Sequence, residues 1–258
     1  MARALGVHLP LTSPLLLAMG TWLIYVADRI LDGLPARASY SLRERHFFYA
    51  RHRRAFLIAA APATLMLLWL IVTRMNPEAR REDVAVFAAA LIYFAVIHVH
   101  GPAAERWLPK ELTVGVVFAT ATAVPAWSRL PASGNASCRP VLAVMTLFFA
   151  ALCWLNCVAI EKWEGKWEQN RPHATTLWAQ RHVSALAVGL TVSATVAAGA
   201  AFLWNARAGM VSIFLACAIS GAGLLALDHR SEGLSAFTLR IAADAAMLSP
   251  ILFFAMLR

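Results

Sequence analysis

Apolar residues gather into eight long runs along this chain, at 9–31, 55–73, 83–99, 112–128, 140–160, 183–204, 209–227 and 237–257, with short polar connections between them. A helix rising 1.5 Å per residue needs roughly 20 mostly apolar residues to cross a bilayer, with about 17 tolerated. Each run meets that length and none shows the period-two alternation of a half-buried strand. The pattern therefore predicts an all-α, polytopic transmembrane helical bundle of about eight spans. Every connection is short, so the chain reads as one integral membrane domain over residues 1–258. The first run ends in acidic residues without a small-residue cleavage site and is expected to stay as a span.

Composition supports this reading. Hydrophobic residues make up 60% of the chain and charged residues only 14%, and the mean hydropathy is +0.63. Those proportions exclude an ordinary soluble domain. Orientation follows from the Lys and Arg bias of short loops. The 33–54 connection carries Arg37, Arg43, Arg45, Arg51, Arg53 and Arg54 against Glu44 alone. Placing it in the cytoplasm puts both termini outside and 15 of the 23 Lys and Arg on the cytoplasmic side, as expected in the inner (cytoplasmic) membrane of a cell. A basic rim against anionic lipid then accounts for the net charge of +9 without nucleic acid. Cys153, Cys157 and Cys217 fall inside runs and Cys138 stands alone, which suits neither a disulfide framework nor a thiolate metal site.

Candidate chemistry concentrates where runs become polar. Asp28 and Asp32 close the first run, four residues apart and so on one helix face. Paired carboxylates at that depth are costly unless a partner such as Mg²⁺ offsets their charge. The plainer alternative is a helix end stabilised by Arg29 and interfacial water. On the same expected side, Asn156, Glu161, Glu164 and Glu168 leave the fifth run, with the glutamates on one face interleaved with Lys162 and Lys166. That interleaving also describes a solvated, salt-bridged helix end. Arg37, Arg43, Arg45, Lys162 and Lys166 stand between the two acidic ends. Carboxylates that hold Mg²⁺, with cations for the remaining phosphate oxygens, suit a diphosphate. In the last run, Arg240 and Asp244 are spaced to pair with each other.

The stretch Ala27-Asp28-Arg29-Ile30-Leu31-Asp32-Gly33 followed by Arg37 resembles the first aspartate-rich motif of the UbiA superfamily of intramembrane prenyltransferases. Tyr93, then Lys110-Glu111-Leu112-Thr113-Val114-Gly115 and Pro125, resembles that family's tyrosine, lysine and glycine pattern. Asn156 to Glu168 falls where the family carries its second aspartate-rich motif. There are departures. Ile24 and Tyr25 replace the Asn-Asp that opens the family motif, the second motif has glutamates out of register, and one N-terminal helix of the usual nine is missing. The resemblance implies a UbiA-like bundle with a lipid-accessible cavity, holding Mg²⁺ on Asp28, Asp32, Glu161 and Glu164. It implies a polyprenyl diphosphate contacted by Arg29, Arg37, Arg45, Tyr25, Tyr93, Lys110, Asn156 and Lys162. The prenyl group would pass to a lipid or aromatic acceptor. Two other classes remain open: a non-catalytic relative binding an isoprenoid or quinone, and a carrier or accessory subunit of a membrane complex.

Overall fold

A computed structural model of the chain describes residues 1–32, 48, 51–100, 109–130, 138–165 and 173–256. Every described element is helical: α1 Thr12–Asp32, α2 Arg53–Arg74, α3 Pro77–His100, α4 Lys110–Trp127, α5 Cys138–Glu164, α6 Ala174–Arg181, α7 Val183–Leu203, α8 Ala208–His229, α9 Ala236–Ala246 and α10 Ser249–Met256. Short 3₁₀ turns occupy Arg3–Leu5 and Ser231–Gly233. Six stretches are long and apolar enough to cross a membrane: Thr12–Leu31, Arg53–Arg74, Cys138–Glu164, Val183–Leu203, Ala208–His229 and Ala236–Phe253. The expected spans at 83–99 and 112–128 lie in α3 and α4 and are not among these six. α4 has 18 residues, two of them Lys110 and Glu111.

The chain divides into two compact units, Leu9–Val84 and Met1–His8 with Ala85–Arg258. In the smaller unit α1 packs on α2. α2 buries only Leu70 and leaves Ile58, Leu65 and Val72 exposed, each by more than 60%. Such a surface is costly in water and suited to lipid. The tight turn into α3 is written in Asn76-Pro77-Glu78. Asn76 Oδ1 accepts from the Ala79 amide at 2.8 Å, Pro77 supplies a first-turn φ, and Glu78 faces the helix dipole. Arg80 reaches back to the carbonyls of Val72 (3.1 Å) and Met75 (3.2 Å) at the end of α2.

In the larger unit, α7 and α8 share the most extensive contact. They meet through small residues, Ala187 and Thr191 against Gly221, which lets the backbones approach. α4 and α5 do the same at Gly115, where a Cβ would lie 2.7 Å from the Trp154 nitrogen and 3.1 Å from the Ala150 carbonyl oxygen. Backbone cannot yield as a flexible side chain can. Gly115→Ala is therefore expected to lower stability by about 1–3 kcal/mol, read as an earlier transition in SDS unfolding of the purified protein. Unchanged stability would mean that α4 and α5 are further apart.

The last run is a span broken in two. Pro250 has no N–H for the Ala246 carbonyl, which instead accepts from Ser220 Oγ at 2.7 Å. Ser249 Oγ donates to the Ala216 carbonyl oxygen at 2.9 Å, tying the break to α8.

Candidate functional site

Polar contacts collect the helix ends of the larger unit. Thr176 on α6 donates to Glu111 in the first turn of α4 at 2.6 Å. Lys162 and Trp163, in the last turn of α5, donate to Asp228 in the last turn of α8 (Nζ at 2.8 and 3.0 Å, Nε1 at 2.9 Å). Ser184 at the start of α7 donates to the same carboxylate at 2.7 Å. Arg240 on α9 reaches Glu164 at 3.2 Å. The starts of α4, α6, α7 and α9 and the ends of α5 and α8 thus gather at one end of this unit. Those helix ends bound the 98–111, 161–182 and 228–240 connections, which the charge pattern places on one face.

A second tier lies deeper. Asn156 is buried and donates from Nδ2 to Asp244 Oδ1 at 3.5 Å. The amide oxygen of Asn156 and the amide nitrogen of Gln180 are buried without hydrogen-bond partners. Buried polar atoms are nearly always satisfied, so such atoms call for an explanation.

In the smaller unit, α1 runs through Asp32 and so places Asp28 and Asp32 one turn apart. The Asp28 carboxylate lies 3.8 Å from the Arg29 guanidinium, with both side chains largely buried. Arg29 also sits over the Tyr25 ring, 4.9 Å from its centroid. Tyr25, Asp28 and Arg29 therefore form one local group on the last turns of α1.

Of the predicted site residues, Asn156 meets Asp244, Glu161 lies in the last turn of α5 and Lys110 opens α4. Lys162 and Glu164 are drawn into the pairs with Asp228 and Arg240. The expected Arg240–Asp244 pair is replaced by these contacts across helices, because packing places Glu164 within reach of Arg240. Arg37, Arg45, Glu168, Lys166 and the side chains of Asp32 and Tyr93 lie outside the described residues. Among the described residues no three of His, Cys, Asp and Glu converge on a point that could hold one metal ion.

Glu111, Asp228 and Gln180 are polar residues at this end that spacing does not mark. Their one sequence signal is an ionisable or amide side chain at the edge of an apolar run. No family model, no curated protein and no solved structure matches this chain.

Proposed function

We propose that the chain is a UbiA-like intramembrane prenyltransferase, which moves a prenyl group from a polyprenyl diphosphate to a lipid or aromatic acceptor with Mg²⁺. The observation that carries the reading is the end of α1, where Asp28 and Asp32 stand one turn apart along the helix and Arg29 lies by Asp28 and over Tyr25. Oxygen ligands of a hard cation and a cation for phosphate oxygens then occupy one helix end.

In this reading Asp28 and Asp32 hold Mg²⁺ at the end of α1, since carboxylate oxygens suit a hard cation. In the second motif Glu164 is committed to Arg240 and supports the bundle instead. Mg²⁺ supplies charge stabilisation to the departing diphosphate. Arg29, Arg37 and Arg45 bind phosphate oxygens, and Tyr25 lines the prenyl path, keeping water from the reacting carbon. α3 and α4 complete eight spans in the cytoplasmic membrane, with both termini outside and the polar helix ends facing the cytoplasm.

A second reading has its own support. Lys162 and Glu164 are engaged in ion pairs within the bundle, as expected of a non-catalytic relative that keeps the cavity and binds an isoprenoid or quinone.

Calorimetry with farnesyl diphosphate on the purified protein in nanodiscs separates the two. The enzyme reading expects saturable binding with Mg²⁺ and at least about tenfold weaker binding in EDTA, a difference of about 1.4 kcal/mol. Binding that ignores EDTA, or no binding, sinks it in favour of the second.

A further inference from the structure

α4 starts and α5 ends at the polar cluster, so the end of α4 and the start of α5 lie at the opposite end of the larger unit. One apolar cluster joins them there to the segment Met1–His8 and the start of α8, through Ala4, Leu5, Ala126, Leu130, Leu142 and Ile213. Arg207, just before α8, ties the two chain segments by donating to the Leu5 carbonyl oxygen. These segments hold Arg3, Arg129, Arg139 and Arg207. They hold no carboxylate, because no Asp or Glu occurs before Asp28, between Glu111 and Glu161, or between Glu168 and Asp228. Among the described residues none of the four arginines has an ion pair.

Two of these guanidiniums converge on the residues that end α4. Arg129 Nη1 donates to the Pro125 carbonyl oxygen at 2.9 Å, and Arg139 Nη2 donates to that of Leu130 at 3.0 Å. Arg139 also lies over the Trp127 ring, 5.1 Å from its centroid. Capping a helix C-terminus explains only part of this arrangement. A helix end carries about half a negative elementary charge, whereas the two side chains bring two full positive ones. Both are only partly buried, and Arg129 Nη2 and Arg139 Nη1 have no partner among the described residues. Arg139 Nε is buried without one. Arg139 is the second residue of Cys138–Glu164, a stretch apolar enough to cross a membrane, and Trp127 is of the residue type that seats at headgroup level. Lipid phosphates lie at that depth, and the guanidinium fork matches them. We infer that Arg129 and Arg139 form a binding site for the phosphate of an anionic phospholipid, with Arg3 and Arg207 adding to the positive field. Uncompensated positive charge favours a lipid of net negative charge over a zwitterionic one, whose own ammonium opposes it. The site stands independently of prenyl transfer, since neither the diphosphate nor Mg²⁺ enters it.

The test is native mass spectrometry of the purified protein in detergent, titrated with phosphatidylglycerol and with phosphatidylcholine of the same acyl chains. Phosphatidylglycerol is expected to bind at least about tenfold more tightly, because two charge-assisted contacts meet a phosphate that no lipid cation offsets. Arg129→Gln combined with Arg139→Gln should bring the two lipids to within about threefold of each other. Arg230→Gln, at an exposed arginine beside the end of α8, should leave the preference intact. Should the double glutamine variant fail to fold, Arg129→Lys combined with Arg139→Lys keeps both charges and is expected to keep the preference. Phosphatidylglycerol with a photoreactive headgroup is expected to label the unmodified protein at or beside Arg129 and Arg139. Equal binding of the two lipids, a preference that survives in the folded glutamine variant or is lost in a folded lysine variant, or labelling confined to other segments overturns the site. Millimolar inorganic phosphate should not displace the lipid. Displacement would make the occupant a free anion and overturn the lipid assignment.

Discussion

Replacing Asp228 by Ala is expected to destabilise the larger unit by about 3 kcal/mol, the lower end of the 3–5 kcal/mol typical when one partner of a buried ion pair is removed. The carboxylate is 8% exposed and takes hydrogen bonds from Lys162, Trp163 and Ser184. Losing it strands an ammonium, an indole N–H and a hydroxyl at the junction of α5, α7 and α8. The Lys162 side chain is 37% exposed, so water recovers part of its charge and holds the loss at the lower end. Asp228→Asn, which keeps an acceptor for Ser184 or Trp163 but not the charge, should cost less. SDS unfolding of the purified variants gives both values. A loss below about 1 kcal/mol for Asp228→Ala would mean that the contact is a solvated surface pair.

That junction marks the boundary of what sequence reading can reach here. Apolar run length placed the helices well, because crossing a bilayer is a local property of about 20 residues. Thr12–Leu31, Arg53–Arg74, Cys138–Glu164, Val183–Leu203 and Ala208–His229 sit within a few residues of their expected spans. Local chemistry was also readable in principle at Asn76-Pro77 and Pro250, yet the third run was expected to begin at 83 whereas α3 begins at Pro77. Run length counts apolar residues, and a capped helix with a charged first turn begins before them.

The polar contacts were not legible for a different reason. Spacing along one helix shows which residues share a face, and it paired Arg240 with Asp244 on that basis. The observed partners, Arg240 with Glu164 and Lys162 with Asp228, are 76 and 66 residues apart. Which helices touch depends on small-residue contacts such as Gly115 against Trp154, and a single sequence records the glycine without its partner. The one-turn spacing of Asp28 and Asp32 was legible because both lie on one helix.

Asp28→Asn is expected to weaken Mg²⁺-dependent binding of farnesyl diphosphate by at least about a hundredfold, or about 2.7 kcal/mol. A unit charge about 4 Å from another is worth about 4 kcal/mol at an effective dielectric constant of 20, and more against a divalent ion, so desolvation can cancel a large part and still leave that loss. Asp32→Asn should behave alike, being the second proposed ligand, one turn further along α1. Stability should fall by about 1 kcal/mol, since Asp28→Asn keeps an oxygen acceptor while removing one charge of the 3.8 Å pair with Arg29. Lost binding would then not be lost folding. Glu164→Gln should leave binding within about threefold while modestly lowering stability, because its partner is Arg240 rather than the ion. Titration calorimetry and SDS unfolding on the same preparations separate the two effects. If Asp28→Asn binds as the unmodified protein does while Glu164→Gln abolishes binding, the assignment of the metal pair to α1 is wrong and the diphosphate, if bound, is held by the end of α5.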